Sequence, residues 1–188
     1  MDVRSQQMEI KMTKYAAFLR GINISGKNKI SMPELKQAFE EAGFTEVITY
    51  LNSGNVVFEA ESAKEVLRTK VEQLIFQRFS LNIPVYVIEI TCLQKILAAA
   101  PEWWGTDDKA QYDNLIFILS DDSPQDICSM IGDPSQELEK IQIHGNIIFW
   151  TFDRKLYQKC NWWKKTAASG IAEKLTIRTA GTVKKLCK

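Results

Sequence analysis

Val47-Ile48-Thr49-Tyr50-Leu51-Asn52-Ser53-Gly54-Asn55-Val56-Val57-Phe58-Glu59 is a pair of β-prone runs around an Asn-Ser-Gly-Asn turn. Turn-forming residues between two such runs predict a β-hairpin, and a hairpin imposes antiparallel pairing. Residues 138–143 and 147–152 repeat the device around His144-Gly145-Asn146. Two hairpins disfavour an all-parallel nucleotide-binding sheet.

Working outward, helix starts flank both hairpins. Ser31-Met32-Pro33-Glu34 is an S-x-x-E capping box, followed by Leu35, Ala38, Phe39 and Ala42 at helical spacing and then Gly43. Ser62-Ala63-Lys64-Glu65 repeats the box ahead of Leu67, Val71, Leu74 and Ile75. Thr91-Cys92-Leu93-Gln94 predicts a third start, before Ile96 and Leu97. Ser123-Pro124 predicts a fourth, with proline in the first helical turn. Asp153 is the expected cap of a fifth helix carrying Leu156, Cys160, Trp163 and Ala167 and closed by Gly170. A short last helix is expected near 182–186.

Residues 14–20 and 113–120 are mostly apolar and bounded by polar turns, as central strands buried on both faces are. Short strands fit 84–88 and 174–178. The order strand, helix, hairpin, helix, strand therefore occurs twice. The fold class is α+β, with two ferredoxin-like β-α-β-β-α-β halves in tandem, antiparallel sheets, and helices on one face of each. The expected organisation is an N-terminal extension over 1–13, a first half over 14–90, and a connecting helix and linker over 91–112. The second half, with its C-terminal helix, covers 113–188. Burial of the two remaining sheet faces is most simply achieved by joining the halves into one body.

The 188 residues are 45% hydrophobic and 25% charged, which excludes disorder as the main state. No apolar run reaches the length of a membrane span or a signal-peptide core, so no membrane association is expected. Cys92, Cys128, Cys160 and Cys187 are far apart, as in the reduced thiols of a cytoplasmic protein. The net charge of +1 conceals an asymmetry: residues 91–152 hold 3 basic and 10 acidic residues, and 153–188 hold 10 and 2. Either these segments neutralise one another across an internal contact, or they form separate faces.

Arg20-Gly21-Ile22-Asn23-Ile24-Ser25-Gly26-Lys27-Asn28 follows an apolar strand and falls one residue short of the phosphate loop G-x-x-x-x-G-K-[ST]. Asn28 replaces the magnesium-binding hydroxyl, the next helix begins several residues late, and the hairpins contradict the required parallel topology. Two readings of the stretch remain open. One is an anion-binding loop with Arg20, Lys27 and Lys29, in which backbone N–H groups converge on the ligand. The other is a glycine-bearing connection whose polar residues bond its own backbone.

The runs Tyr15-Ala16-Ala17-Phe18-Leu19-Arg20-Gly21-Ile22-Asn23, Lys27-Asn28, Met32 and Leu51–Phe58 resemble the signatures of the domain of unknown function 1697 family. Arg178 with Thr182-Val183 and Lys185-Leu186 is similar to its C-terminal signature. The resemblance runs from about Met12 onward and points to no particular activity, since the family is uncharacterised. Ser25 stands where a second glycine is usual, and Thr179-Ala180-Gly181 replaces an Asn-Trp stretch.

Arg20 ends the first strand and Arg178 the last, so two joined halves can bring both guanidiniums beside the glycine loop, where their forks suit a carboxylate or phosphate. Each also suits a salt bridge or a tie to a loop carbonyl. The candidate ligand residues are Arg20, Gly21, Asn23, Gly26, Lys27 and Asn28 on the first loop. Asn52, Ser53 and Asn55 on the hairpin, together with Arg178, complete the set. The expected role is a binding module for an anionic partner, either a phosphorylated metabolite or nucleic acid. The alternatives are an enzyme using the same loop as a clamp, and a protein–protein interaction module. No metal or cofactor is expected: His144 stands alone in a turn, the cysteines lack ligand spacing, and neither G-x-S-x-G nor H-E-x-x-H occurs. Of the tryptophan pairs 103–104 and 162–163, Trp163 is the expected core member of the second.

Overall fold

The computed structural model describes residues 12–188, and the extension expected over 1–13 lies almost wholly outside them. Among the described residues, eight strands form two four-stranded antiparallel sheets. The first contains β1 (Thr13–Leu19), β2 (Thr45–Tyr50), β3 (Asn55–Ala60) and β4 (Val85–Glu89), in the order β2-β3-β1-β4. The second contains β5 (Gln111–Ile118), β6 (Glu139–His144), β7 (Ile147–Asp153) and β8 (Leu175–Thr179), in the equivalent order β6-β7-β5-β8. Both hairpins are present. Six α-helices among the described residues accompany the sheets: α1 (Met32–Glu41), α2 (Lys64–Phe79), α3 (Ile90–Ala98), α4 (Pro124–Ile131), α5 (Asn161–Thr166) and α6 (Ala180–Leu186).

Alternation along each strand sorts side chains into three apolar layers. Tyr15, Ala17 and Leu19 of β1 face Leu35 and Phe39 of α1 and Leu67, Val71 and Ile75 of α2. Ala16 and Phe18 face the other way, against Leu115 and Phe117 of β5, with α3 and α6 at the margins. Ile116 and Ile118 of β5 join Ile127 and Ile131 of α4 and Trp162 of α5. The molecule is thus helices, sheet, sheet, helices. Central strands β1 and β5 are buried on both faces, hence their unbroken apolar runs.

At the middle of the seam the rings of Phe18 and Phe117 stack with centroids 4.7 Å apart. Phe18 pairs across its sheet with Asn55 and Tyr86, and Phe117 pairs with Ile147 and Thr176. The two phenylalanines therefore hold the same position in their halves. This register makes every seam residue comparable with a partner in the other half.

Three of the expected helix starts shift. Ser31 and Ser123 cap α1 and α4, the second through a full capping box with Asp126. The S-x-x-E run at 62–65 is displaced by one residue: Ala63 is the N-cap, and the Ser62 carbonyl accepts from the Tyr15 hydroxyl. Helix α3 follows β4 directly, so Thr91 lies inside it. Asp153 does not cap a long helix. Its carboxylate accepts from the amides of Lys155 and Leu156, closing a turn, and helix proper resumes only at Asn161. That change of phase reverses the tryptophans: Trp162 is fully buried and Trp163 is 38% exposed. Buried Glu139, from β6, accepts from the amides of both and caps the short helix.

Candidate functional site

Both arginines singled out in the sequence cross from one half to the other. Arg20 Nε donates to the carbonyls of Ala172 and Leu175, and Arg178 Nη2 donates to the carbonyl of Leu19. Each reaches the other's strand, so the strand ends do converge on one corner.

Their roles there differ. Arg178 is only 8% exposed and all three guanidinium nitrogens are engaged. Nε donates to Asn55 Oδ1 at 2.5 Å, Nη1 to Thr176 Oγ1 and the Ile177 carbonyl, and Nη2 to the carbonyls of Leu19, Ser53 and Gly54. The charge lies 5.3 Å from the Phe18 ring. No carboxylate pairs with it among the described residues. Backbone dipoles solvate it instead, and burial lowers its pKa to about 10, which leaves it charged at neutral pH. Asn55 is fully buried, and its amide also donates to the Tyr50 carbonyl and Ser53 Oγ. Gly54 belongs to the same closure: at φ +81° it lets the hairpin run so close to Leu19 and Ile22 that a Cβ would meet both at 2.8 Å.

The loop after β1 is a separate, exposed unit. Its tip is a tight turn in which the Lys27 amide donates to the Ile24 carbonyl, with Ser25 and Gly26 between them. Five of the residues 21–28 (Gly21, Asn23, Ser25, Gly26 and Asn28) have φ between +47° and +77°. Asn23 holds the base: its amide donates to the carbonyls of Ile30 and Asn52 and its Oδ1 accepts from the Ile30 amide. Asn28 donates to the Gly21 carbonyl. Lys27 and Lys29 are exposed and make no ion pair among the described residues. Beside the loop runs a groove of about 620 Å³, walled by Asn23, Gly26, Lys29, Ser31, Glu34 and Asn52.

The ten sequence candidates therefore fall into two sets. Arg178, Asn55 and Ser53 form an internal lock, with Arg20 tying down the adjacent segment. Asn23, Gly26, Lys27, Asn28 and Asn52 shape or line the exposed loop and groove, which Gly21 opens. What the sequence did not signal is a second cleft, at the opposite corner of the seam, lined by Lys64, Arg68, Tyr86, Asp121, Asp122 and Asn146 among others. Its residues are scattered over four segments, and only the adjacent pair Asp121-Asp122 attracts notice in the chain. Lys174 bonds Asp122 at 2.5 Å, the one ion pair among the described residues that joins the acidic 91–152 stretch to the basic one after it. No group of three or more His, Cys, Asp or Glu among the described residues is placed to hold a metal ion. No helix among them is long and apolar enough to cross a membrane.

The family model described as protein of unknown function (DUF1697) matches residues 12–149. A conserved bacterial protein from Streptococcus pneumoniae, SP0830, has a solved structure similar to this one. Its TM-score is 0.82 at 27% identity, covering 94% of this chain and 98% of that one. An unknown protein from Galdieria sulphuraria aligns with a TM-score of 0.25 at 10% identity, over 90% of this chain and 98% of its own. No curated protein matches.

Proposed function

The chain belongs to this family of proteins of unknown function, and from its geometry we propose that it is a binding module for a phosphate-bearing ligand seated on the 21–30 loop. One observation carries the reading. An exposed loop holds five residues in the left-handed region, three of them not glycine, and spends asparagine side chains to keep that shape. Left-handed backbone at a non-glycine residue costs on the order of 1 kcal/mol, and such strain collects where a surface must be preorganised. At Ser25, Gly26 and Asn28 the core does not demand it, because Ile24 through Lys29 are all exposed.

The chemistry of the surface favours an anion. Turns that alternate right- and left-handed residues gather successive N–H groups into a concavity; here the Asn23 and Lys27 amides close the loop on itself, and those of Gly26, Asn28 and Lys29 are the ones offered to the ligand. Lys27 and Lys29 add two point charges with no carboxylate holding them, the arrangement by which lysine meets phosphate. Asn52 and Ser31 line the groove with further polar groups. A phosphorylated metabolite is preferred to nucleic acid because the overall charge is only +1, too small for strong non-specific attraction to a polyanion.

Titration with inorganic phosphate and pyrophosphate, followed by amide chemical shifts, tests this. Shifts confined to Gly26–Lys29 and Asn52 are expected. Lys27→Ala with Lys29→Ala weakens binding at least tenfold, equivalent to about 1.4 kcal/mol. Glu34→Gln, which removes the groove's one carboxylate, strengthens it. Silence at these amides up to millimolar ligand overturns the reading. A steep fall of affinity with salt would move the ligand class to nucleic acid.

A further inference from the structure

The lock at Arg178 has a counterpart position in the other half. The strand registers make Leu115 equivalent to Ala16 and Phe117 equivalent to Phe18. By the same registers Arg178 corresponds to Ile88, Thr176 to Tyr86, Leu19 to Ile118, and Gly54 to Asn146. The guanidinium of Arg178 touches Thr176, Leu19 and Gly54. Their equivalents Tyr86, Ile118 and Asn146 line a cleft of about 450 Å³ between the halves. One corner is plugged by a cation of the chain itself, and the equivalent corner is open.

Two sequence differences account for the opening. Ile88 offers no long polar side chain to cross the seam. The second hairpin is also shorter: two residues separate the paired His144 and Ile147, against four between Tyr50 and Asn55. The cleft volume falls in the range that holds small molecules, and boundaries between packed units are where such sites occur.

We propose that this cleft is a binding site for a small organic cation, a guanidinium or primary amine, in the place that Arg178 fills in the other half. Arg178 displays the recognition in advance: backbone carbonyls of a strand end and a hairpin tip around a guanidinium beside an aromatic ring. In the second half the strand end is Ile118, the tip is Gly145-Asn146, and the aromatic floor is Tyr86 lying against Phe117 at 4.9 Å. The charges on the wall point the same way. Arg68 is engaged by Glu72 and by the Leu119 carbonyl, Lys64 by Glu65, and Asp122 by Lys174. Asp121 makes no hydrogen bond or ion pair among the described residues, so the wall carries one uncommitted negative charge. A cation over a tyrosine face with a carboxylate at the rim satisfies both.

Agmatine, which carries a guanidinium and a primary amine, is the probe, with n-butylurea as the uncharged counterpart of its guanidinium end. Calorimetry and amide shifts with the full chain are expected to show agmatine binding with shifts at Tyr86, Asp121 and Asn146, and n-butylurea silent. Asp121→Asn weakens agmatine at least fivefold. Ile88→Arg puts a guanidinium into the open corner and abolishes binding in the folded variant. If that variant fails to fold, Asp121→Asn alone decides. Inorganic phosphate shifting these residues with agmatine silent overturns the proposal in favour of an anion site on Lys64 and Arg68. Agmatine affinity unchanged by Asp121→Asn, or no binding at millimolar probe, overturns it as well. The Lys27→Ala, Lys29→Ala chain keeps agmatine affinity, so failure of the loop reading and failure of this one are told apart.

Discussion

The first half closes its seam corner on a buried charge, whereas the second leaves the equivalent corner open as a cleft between Tyr86, Asn146 and a rim of charged side chains. Asn55 and Arg178 occupy the positions of Ile147 and Ile88, on strands with the same order and register. A repeated skeleton therefore does not repeat its chemistry. One pair of polar side chains at one register position turns a gap into a lock. Burying an arginine without a carboxylate carries a large desolvation cost, offset here by bonds to six separate acceptors. Those acceptors belong to β1, the first hairpin and β8, so the charge is satisfied only in one docking of the halves. An apolar seam of similar area would tolerate sliding.

The contrast breaks most plainly at the lock itself. Arg178→Ala takes the donor from Asn55 Oδ1 and four carbonyls and is expected to cost about 3–5 kcal/mol in urea unfolding. Arg178→Lys recovers little, because one ammonium cannot reach acceptors arranged around a fork. A loss below about 1 kcal/mol would mean that water replaces the guanidinium freely, and the lock would be no lock.

The hairpin tips give the next effect. Gly54→Ala forces a Cβ against Leu19 and Ile22 at a left-handed φ and should cost about 2–3 kcal/mol. Its equivalent, Asn146→Ala, borders the open cleft and should stay within about 0.5 kcal/mol. Equal costs at the two tips would show that the corners are more alike than their contacts imply.

A smaller effect separates the halves by pH. Burial pushes the thiol of Cys160, the residue that opens α5, up to about 11. The folded pKa is above the unfolded one, so its contribution is complete below about 9 and is lost as pH rises toward 11. Cys160→Ser should flatten that alkaline decline, and at pH 8 exposed Cys92 should react with iodoacetamide well before Cys160. Smallest of all, Lys27→Ala with Lys29→Ala should leave stability within about 0.5 kcal/mol, since both side chains are exposed. A larger loss would make the loop part of the scaffold and not a ligand surface.

Much of this architecture is legible residue by residue. The hairpins follow from Asn52-Ser53-Gly54-Asn55 and His144-Gly145-Asn146, and α1 and α4 from Ser31 and Ser123, because turns and caps are closed by groups a few residues apart. Where the local pattern misled, a distant partner had intervened. Glu139 restarts a helix at Asn161 and thereby exchanges the roles of Trp162 and Trp163. Tyr15 takes the carbonyl of Ser62, whose box was expected to open α2.

The chain by itself determined two β-α-β-β-α-β halves, their antiparallel pairing and the residues that gather near one corner, since periodicity and turn chemistry act over short spans. Only the tertiary structure decided which of those polar residues turn inward. Arg178 finds Asn55 and Leu19 at separations of 123 and 159 residues, and no local signal distinguishes such a guanidinium from one facing solvent. The open cleft was equally hidden, because a cavity is defined by what two packed surfaces fail to fill.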